Sequence, residues 1–477
     1  MTRKSGVLMH ISSLFGDYSI GGFGNEANYF IDFLADCGFS YWQVLPFCPS
    51  DKCNSPYKSP SAFAGNPYFI NLEKLAEENL ITEEELLTQK QETPYVCEFE
   101  RLYKTRLPLL KLAAERFCDK DAVHNFIDNN PYLKNFCKFM AIKQANQDKP
   151  WFEWENEACD EEILFMWKFI QYKFFAQWKE IKQYANEKGI QIIGDIPIYV
   201  DLDSSDVWAD KKLFKLDSEN KPISVAGVPP DYFCADGQLW GNPIYDWDEM
   251  ERENFRWWRD RISHMTDLFD GIRIDHFRGI ESFWEVDGSA KTAKEGTMTK
   301  GPGMKLISAI KEECKDALII AEDLGLITED VVKLVKKSGF PGMRVFQFAF
   351  MGDPNSPHLP HNYIENCIAY TGTHDNNTLL GYLWELDDRT RKAMLKYCGM
   401  EGDDWGNGCK HIIRTMMASH AKTVIMPIQD LLGYGSDTRL NTPGKTENNW
   451  AYRITKEQLD AIDKTYFKEL NQRYSRI

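Results

Sequence analysis

The chain has 477 residues, 43% of them hydrophobic and 27% charged, which is ordinary for a protein that buries a large core and argues against disorder. Lys and Arg number 56 against 72 Asp and Glu, and the resulting net charge of -16, with no long basic stretch, disfavours nucleic acid and anionic membrane surfaces as partners. No apolar run reaches the roughly 18 residues of a membrane span, and the opening MTRKSGVLMHISSLFGDYSIG lacks the sustained apolar core of a secretory leader, so a cytoplasmic protein is expected.

Eight short apolar runs closing in polar residues follow one another along the chain. They are GVLMHIS near the start, YWQVLPF (41–47), IQIIGDIPIYV (190–200), GIRIDHF (271–277), LIIAED (318–323), MRVFQFAF (343–350), CIAYTGTHD (367–375) and TVIMPIQD (423–430). Between most of them, apolar residues recur at helical spacing: Glu26 to Cys37, Glu161 to Lys188, Arg252 to Leu268, Met304 to Cys314, Thr328 to Lys337 and Cys409 to His420. Strand then helix, repeated, with eight strand-like runs in all, predicts an α/β fold of the (β/α)8 TIM-barrel type, with residues 1–477 as a single catalytic domain. The spacing is uneven, so insertions are expected. Residues from about 48 to 160 carry charged helical stretches such as LEKLAEENLITEEELL and read as a mostly helical rim subdomain. Residues from about 201 to 248, rich in Pro, Gly and aromatics, read as a functional loop.

The rival architecture, a doubly wound open sheet, wants a glycine turn after its first strand. Gly22, Gly24 and Ala27 do fit GxGxxA, but turn-like residues precede them, and they are read as a loop opening a helix. Twelve cysteines without a CxxC pair suggest reduced thiols rather than a disulfide framework or a zinc site. His358 and His361 lie close together without a third ligand nearby, so no metal is expected. Aromatic clusters such as FRWWRD and FMWKFIQYKFFAQW fall at helical spacing and are assigned to the core.

Catalytic groups of a parallel barrel project from the C-terminal ends of its strands. Three such ends carry carboxylates: Asp275 in GIRIDHF, Glu322 beside Asp323 in LIIAED, and Asp375 after His374 in YTGTHDNNT. Arg273 precedes Asp275 by two residues, so strand alternation puts both side chains on one face, where the guanidinium favours an ionised carboxylate. Glu322 follows an apolar strand end, where desolvation raises a carboxyl's pKa and suits it to proton donation. One ionised and one protonated carboxyl is the pairing used in retaining glycoside cleavage.

RIDHFRG, AEDLG and GTHDNN, in this order, together with SPYKSPSAFAGNPYFINL, GDIPIYV, GVPPDYFCADGQLWGNP and GYGSDTRLNTPG, closely resemble the 4-alpha-glucanotransferases (amylomaltases, or disproportionating enzymes; glycoside hydrolase family 77), a branch of the α-amylase superfamily. The resemblance runs nearly end to end. It implies Asp275 as the nucleophile that forms a β-glycosyl ester, Glu322 as general acid and then base, and Asp375 as the carboxylate that stabilises the oxocarbenium-like transition state. It further implies that Arg273 and His374 line the donor subsite, that Tyr57 is a sugar-stacking platform, that no metal or organic cofactor is needed, and that a separate C-terminal β-sandwich is absent. Ile11, where the family often has Pro, is a departure that bears on loop shape.

The carboxylates do not distinguish hydrolysis from transfer. The stretch GVPPDYFCADGQLWGNP offers Tyr232, Phe233 and Trp240 between Pro and Gly residues, a composition suited to a lid that excludes water and holds an acceptor sugar. The expected reaction is the transfer of an α-1,4-glucan segment from a maltooligosaccharide donor to the 4-OH of glucose or another glucan. A hydrolytic α-amylase-type enzyme and a non-catalytic glucan-binding protein are the alternatives, and the sequence leaves oligomeric state open.

Overall fold

The computed structural model describes residues 3–50, 53–230, 235–402, 404–445 and 447–477. Eight strands close into a parallel barrel in sequential order. They are β1 (Lys4–Leu8), β2 (Tyr41–Gln43), β3 (Gln191–Ile196), β6 (Gly271–Ile274), β9 (Leu318–Ala321), β10 (Gly342–Val345), β11 (Cys367–Tyr370) and β12 (Thr423–Pro427), and each overlaps one of the eight predicted runs, β1 and β10 starting just before theirs. β12 pairs back onto β1 from Lys4↔Thr423 to Leu8↔Pro427, which closes the barrel. A doubly wound open sheet is thereby ruled out. Gly22 and Gly24 instead pack closely on the turn at Phe69 and Asn71, and Gly24 precedes the helix Asn25–Asp36.

The strands are apolar on both faces because both are covered. Ile193, Ile320, Met343, Val345, Ile368, Tyr370 and Ile425 fill the barrel, whereas Ile192, Ile272, Ile274 and Val424 join the layer beneath the surrounding helices. The helix Glu161–Glu187 starts where the Asp160 carboxylate accepts the amides of Glu162 and Ile163. It buries Trp167, Phe169, Ile170, Phe174 and Trp178 on one stripe, as assigned from its spacing. Trp257 and Trp258 of the FRWWRD cluster are also buried. At the N-terminal ends of the strands the buried Arg476 guanidinium donates to the carbonyls of Lys4, Met417, Ser419, Ala421 and Lys422.

Two segments depart from the sequence reading. The helix expected from Arg252 to Leu268 is two helices, Trp247–Arg252 and Arg256–Leu268, because Asn254 and Phe255 both take left-handed backbone angles with φ of 53°. The aromatic stretch expected as loop contributes β4 (Ser224–Val228) and β5 (Gln238–Pro243), which join β7 (Ser282–Asp287) and β8 (Thr297–Lys300) in an antiparallel sheet of order β5-β4-β7-β8. β4 finds its pairing partner β7 beyond the barrel strand β6, out of reach of a local pattern.

Candidate active site

The catalytic end of the barrel is organised by register. β3 and β6 pair so that Asp195 stands opposite Arg273, and alternation turns both, with Asp275, toward the barrel axis. Arg273 reaches Asp195 through two hydrogen bonds of 2.7 and 2.9 Å, and Asp275 Oδ1 through one of 2.7 Å. The Asp195 and Arg273 side chains are almost fully buried, while that of Asp275 is 30% exposed. Burial opposes the charge on Arg273, but the two carboxylates outweigh it and hold the guanidinium well above its usual range. A permanent cation is thus locked beside Asp275, with its other edge neutralised.

Glu322 follows β9, the next strand round the barrel, and its two oxygens accept 2.7 Å bonds from the amides of His276 and Leu324. Burial and the nearby Asp275 charge nevertheless push its carboxyl up to about 8, against the pull of Arg273 and the two amides. The bond to His276 requires an unusual backbone: His276 lies in the left-handed region with φ of 51° and ψ of 43°, directly after Asp275. That local cost turns the His276 amide onto Glu322 and sets its ring against the cleft. Burial lowers the His276 imidazole to about 4, so it is neutral at physiological pH.

Asp375 sits in the loop after β11. Asn441 Nδ2 donates to its Oδ1 at 2.6 Å, Arg439 donates to its backbone carbonyl at 2.6 Å, and His374 Nε2 lies 3.4 Å from its Oδ2. The His374 ring stacks on Tyr57 with centroids 5.2 Å apart and planes 12° from parallel, and Trp450 leans against both rings. Tyr57 also donates its hydroxyl to Asp195 at 2.6 Å. One face of the Tyr57 ring is therefore taken by His374, and its hydroxyl ties the loop after β2 to the Asp195–Arg273 pair. Asp275, His276, Tyr57, His374, Asp375 and Trp240 line one cleft of about 310 Å³. Trp240 lies on edge strand β5 rather than in a free loop, and meets His276 edge-to-face at 4.7 Å. Tyr232 and Phe233 fall outside the described residues.

The sequence profile of glycoside hydrolase family 77, described as 4-alpha-glucanotransferase, matches residues 9–459. The chain belongs to the 4-alpha-glucanotransferase family. It is 43% identical to the 4-alpha-glucanotransferase of Clostridium butyricum over 98% of both chains. It superposes on the amylomaltase of Streptococcus agalactiae, solved in complex with acarbose, with a TM-score of 0.95, 39% identity and 99% of both chains covered. The Corynebacterium glutamicum amylomaltase shares the fold at 18% identity, with a TM-score of 0.83 over all of this chain and 75% of that one.

Within this 4-alpha-glucanotransferase family member, three side chains around the acids escaped the sequence reading. Asp195 carried a signal, a charged residue inside a strand otherwise buried on both faces. His276 and Asn441 carried none, because an exceptional backbone angle and a contact between residues 375 and 441 leave no trace in local spacing. Among the described residues no group of three or more His, Cys, Asp or Glu side chains is placed to hold a metal ion, and no helix is long and apolar enough to cross a membrane. His358 accepts the Val345 amide and His361 contacts the Tyr397 hydroxyl, which gives both histidines structural partners.

Proposed function

We propose that the chain transfers α-1,4-glucan segments by a retaining double displacement, with Asp275 as nucleophile, Glu322 as acid and base, and Asp375 as the third carboxylate. The observation that carries this reading is the contrast between two neighbouring acids: Asp275 is paired with Arg273, whereas buried Glu322 is pushed up to about 8. An ionised carboxylate beside a protonated one matches the chemistry of retaining glycosidic cleavage.

In the first step an Asp275 oxygen attacks the anomeric carbon while the Glu322 proton passes to the departing glycosidic oxygen. The result is a β-glycosyl ester and a free sugar 4-OH. Ester formation removes the negative charge of Asp275, the main electrostatic influence raising Glu322, so Glu322 becomes more acidic once its proton is spent. It is then a carboxylate able to take the proton of an incoming 4-OH, and attack on the ester restores the α configuration. Asp375, held by Asn441 and beside His374, faces the same cleft and supplies negative charge for the oxocarbenium-like transition state.

The acceptors are glucose and other maltooligosaccharides, and the aromatic walls of the cleft favour a pyranose over water. Residues 1–477 act in this reading as one catalytic unit, with the segments near 48–160 and 201–248 as insertions that supply Tyr57 and Trp240 to the cleft walls, and the setting is cytoplasmic. Incubation with maltotriose alone tests the proposal. A ladder of longer oligosaccharides with released glucose and little gain in reducing ends is expected, whereas a steady rise in reducing ends would make the enzyme a hydrolase and overturn the transfer reading.

A further inference from the structure

The run TVIMPIQD closes on an acid that the mechanism leaves unused. Asp430 lies just past β12, in the short helix Ile428–Leu432, and is buried together with its neighbour Gln429. One oxygen of the Asp430 carboxylate accepts the Thr371 hydroxyl at 2.5 Å, and the other accepts the Leu379 amide at 2.7 Å. Thr371 directly follows β11, and Leu379 opens the helix Leu379–Glu385. The loop between them carries His374 and Asp375, so a single carboxylate pins both of its ends. Gln429 Nε2 donates at 3.0 Å to the carbonyl of Thr438, in the loop whose Arg439 and Asn441 hold Asp375. Arg439 Nε also donates to the Asn441 carbonyl at 2.7 Å, which joins those two side chains into one unit. Burial pushes the Asp430 carboxyl up to about 6 against the pull of its two bonds, a cost that an apolar residue there would avoid.

We propose that Gln429 and Asp430 are positioning residues for the transfer reaction. Asp430 fixes Asp375 through the loop that carries it, and Gln429 fixes it through the loop that holds its carboxylate. This rests on the reading of Asp375 as the third carboxylate. Neither residue lines the catalytic cleft, so each acts through other groups. With 42% of its side chain exposed, Asp375 has little packing of its own to hold it in place. A misplacement of about 1 Å costs on the order of 10²-fold in rate. The charge Asp375 supplies counts in the transition state, so a loosened clamp acts on kcat rather than KM.

The test measures fluoride release from α-maltosyl fluoride with glucose as acceptor, a donor whose leaving group needs little protonation and keeps weak variants readable. Asp430→Ala is expected to lower kcat at least about 10²-fold, and Thr371→Val and Gln429→Met, which each cut one tie, about tenfold, with KM within about threefold. Circular dichroism checks folding, and the single-tie variants decide the matter if Asp430→Ala does not fold. Parental kcat in both of them overturns the proposal. Asp430→Asn keeps an oxygen for the Leu379 amide and offers its NH2 to the Thr371 oxygen, so kcat within about threefold of the parent is expected. A loss of about tenfold or more there would show that charge, not position, matters, and would also overturn it. With Asp375→Asn already in place, Thr371→Val and Gln429→Met are expected to change kcat by less than about twofold, because the carboxylate they position is gone. The same factor in both backgrounds would mean a general structural role and overturn the clamp. Asp375→Asn alone reads the underlying assignment: parental turnover overturns the catalytic reading of Asp375, whereas a deep loss with additive effects overturns the clamp alone.

Discussion

Glu322 carries the largest consequences for a single side chain. In the proposed mechanism its carboxyl must be protonated for cleavage, so turnover is expected to fall as pH rises through about 8, a limb visible in a kcat/KM profile on maltotriose. The same shift affects stability. The folded state keeps this proton up to about pH 8, while the unfolded carboxyl, with an ordinary value of 4.5, has already lost it. The unfolded state therefore binds fewer protons across that window, and stability declines with rising pH before levelling off. Glu322→Gln cannot titrate, so its Tm minus that of the parent enzyme should grow by a few degrees between about pH 5 and about pH 9 in calorimetry. A constant difference would show that Glu322 is not held neutral. Asp275→Asn removes the proposed nucleophile, and a loss of turnover of at least about 10³-fold is expected while glucan binding persists. Isothermal titration beside a turnover assay separates the two effects.

At the level of elements, the barrel strands were legible because each lies in a short apolar run, and the three acids became candidates because barrel chemistry sits at strand ends. The pairing of Arg273 with Asp275 followed from alternation within one strand. The pairing of Arg273 with Asp195 did not, because it depends on the register between β3 and β6, and sequence does not fix how two strands slide past one another. The antiparallel sheet was hidden for a related reason: its partners β4 and β7 are separated by a barrel strand. Register also explains why lysine cannot replace Arg273. A single ammonium lacks the planar fork that serves Asp195 and Asp275 at once. Arg273→Lys is expected to lower kcat by about 10²-fold, with a smaller effect on KM, as steady-state kinetics on maltotriose would read. Trp240, on edge strand β5 against His276, forms part of the cleft wall. Trp240→Ala should raise the ratio of hydrolysis to transfer, measured as reducing ends gained per glucose released; an unchanged ratio would remove this residue from the exclusion of water.

At the scale of the whole molecule, the two ends of the barrel divide the work. The proposed catalytic groups occupy the C-terminal ends of the strands, while the opposite end is tied by Arg476, whose guanidinium gathers carbonyls from the start of β1 and the approach to β12. Arg476→Ala strands those buried acceptors at the seam where the barrel closes, and a loss of about 2–4 kcal/mol is expected. Thermal unfolding should report it, with kcat at low temperature unaffected because no group near the cleft is touched. The bridge from Asp195 through Arg273 to Asp275 has a further consequence in time. A strand slipped by one residue would turn Asp195 to the outer face and leave Arg273 unmatched in the barrel. Activity therefore reports on register: a chain with its helices formed but its strands out of step lacks the Asp195–Arg273–Asp275 bridge, whatever its helix content.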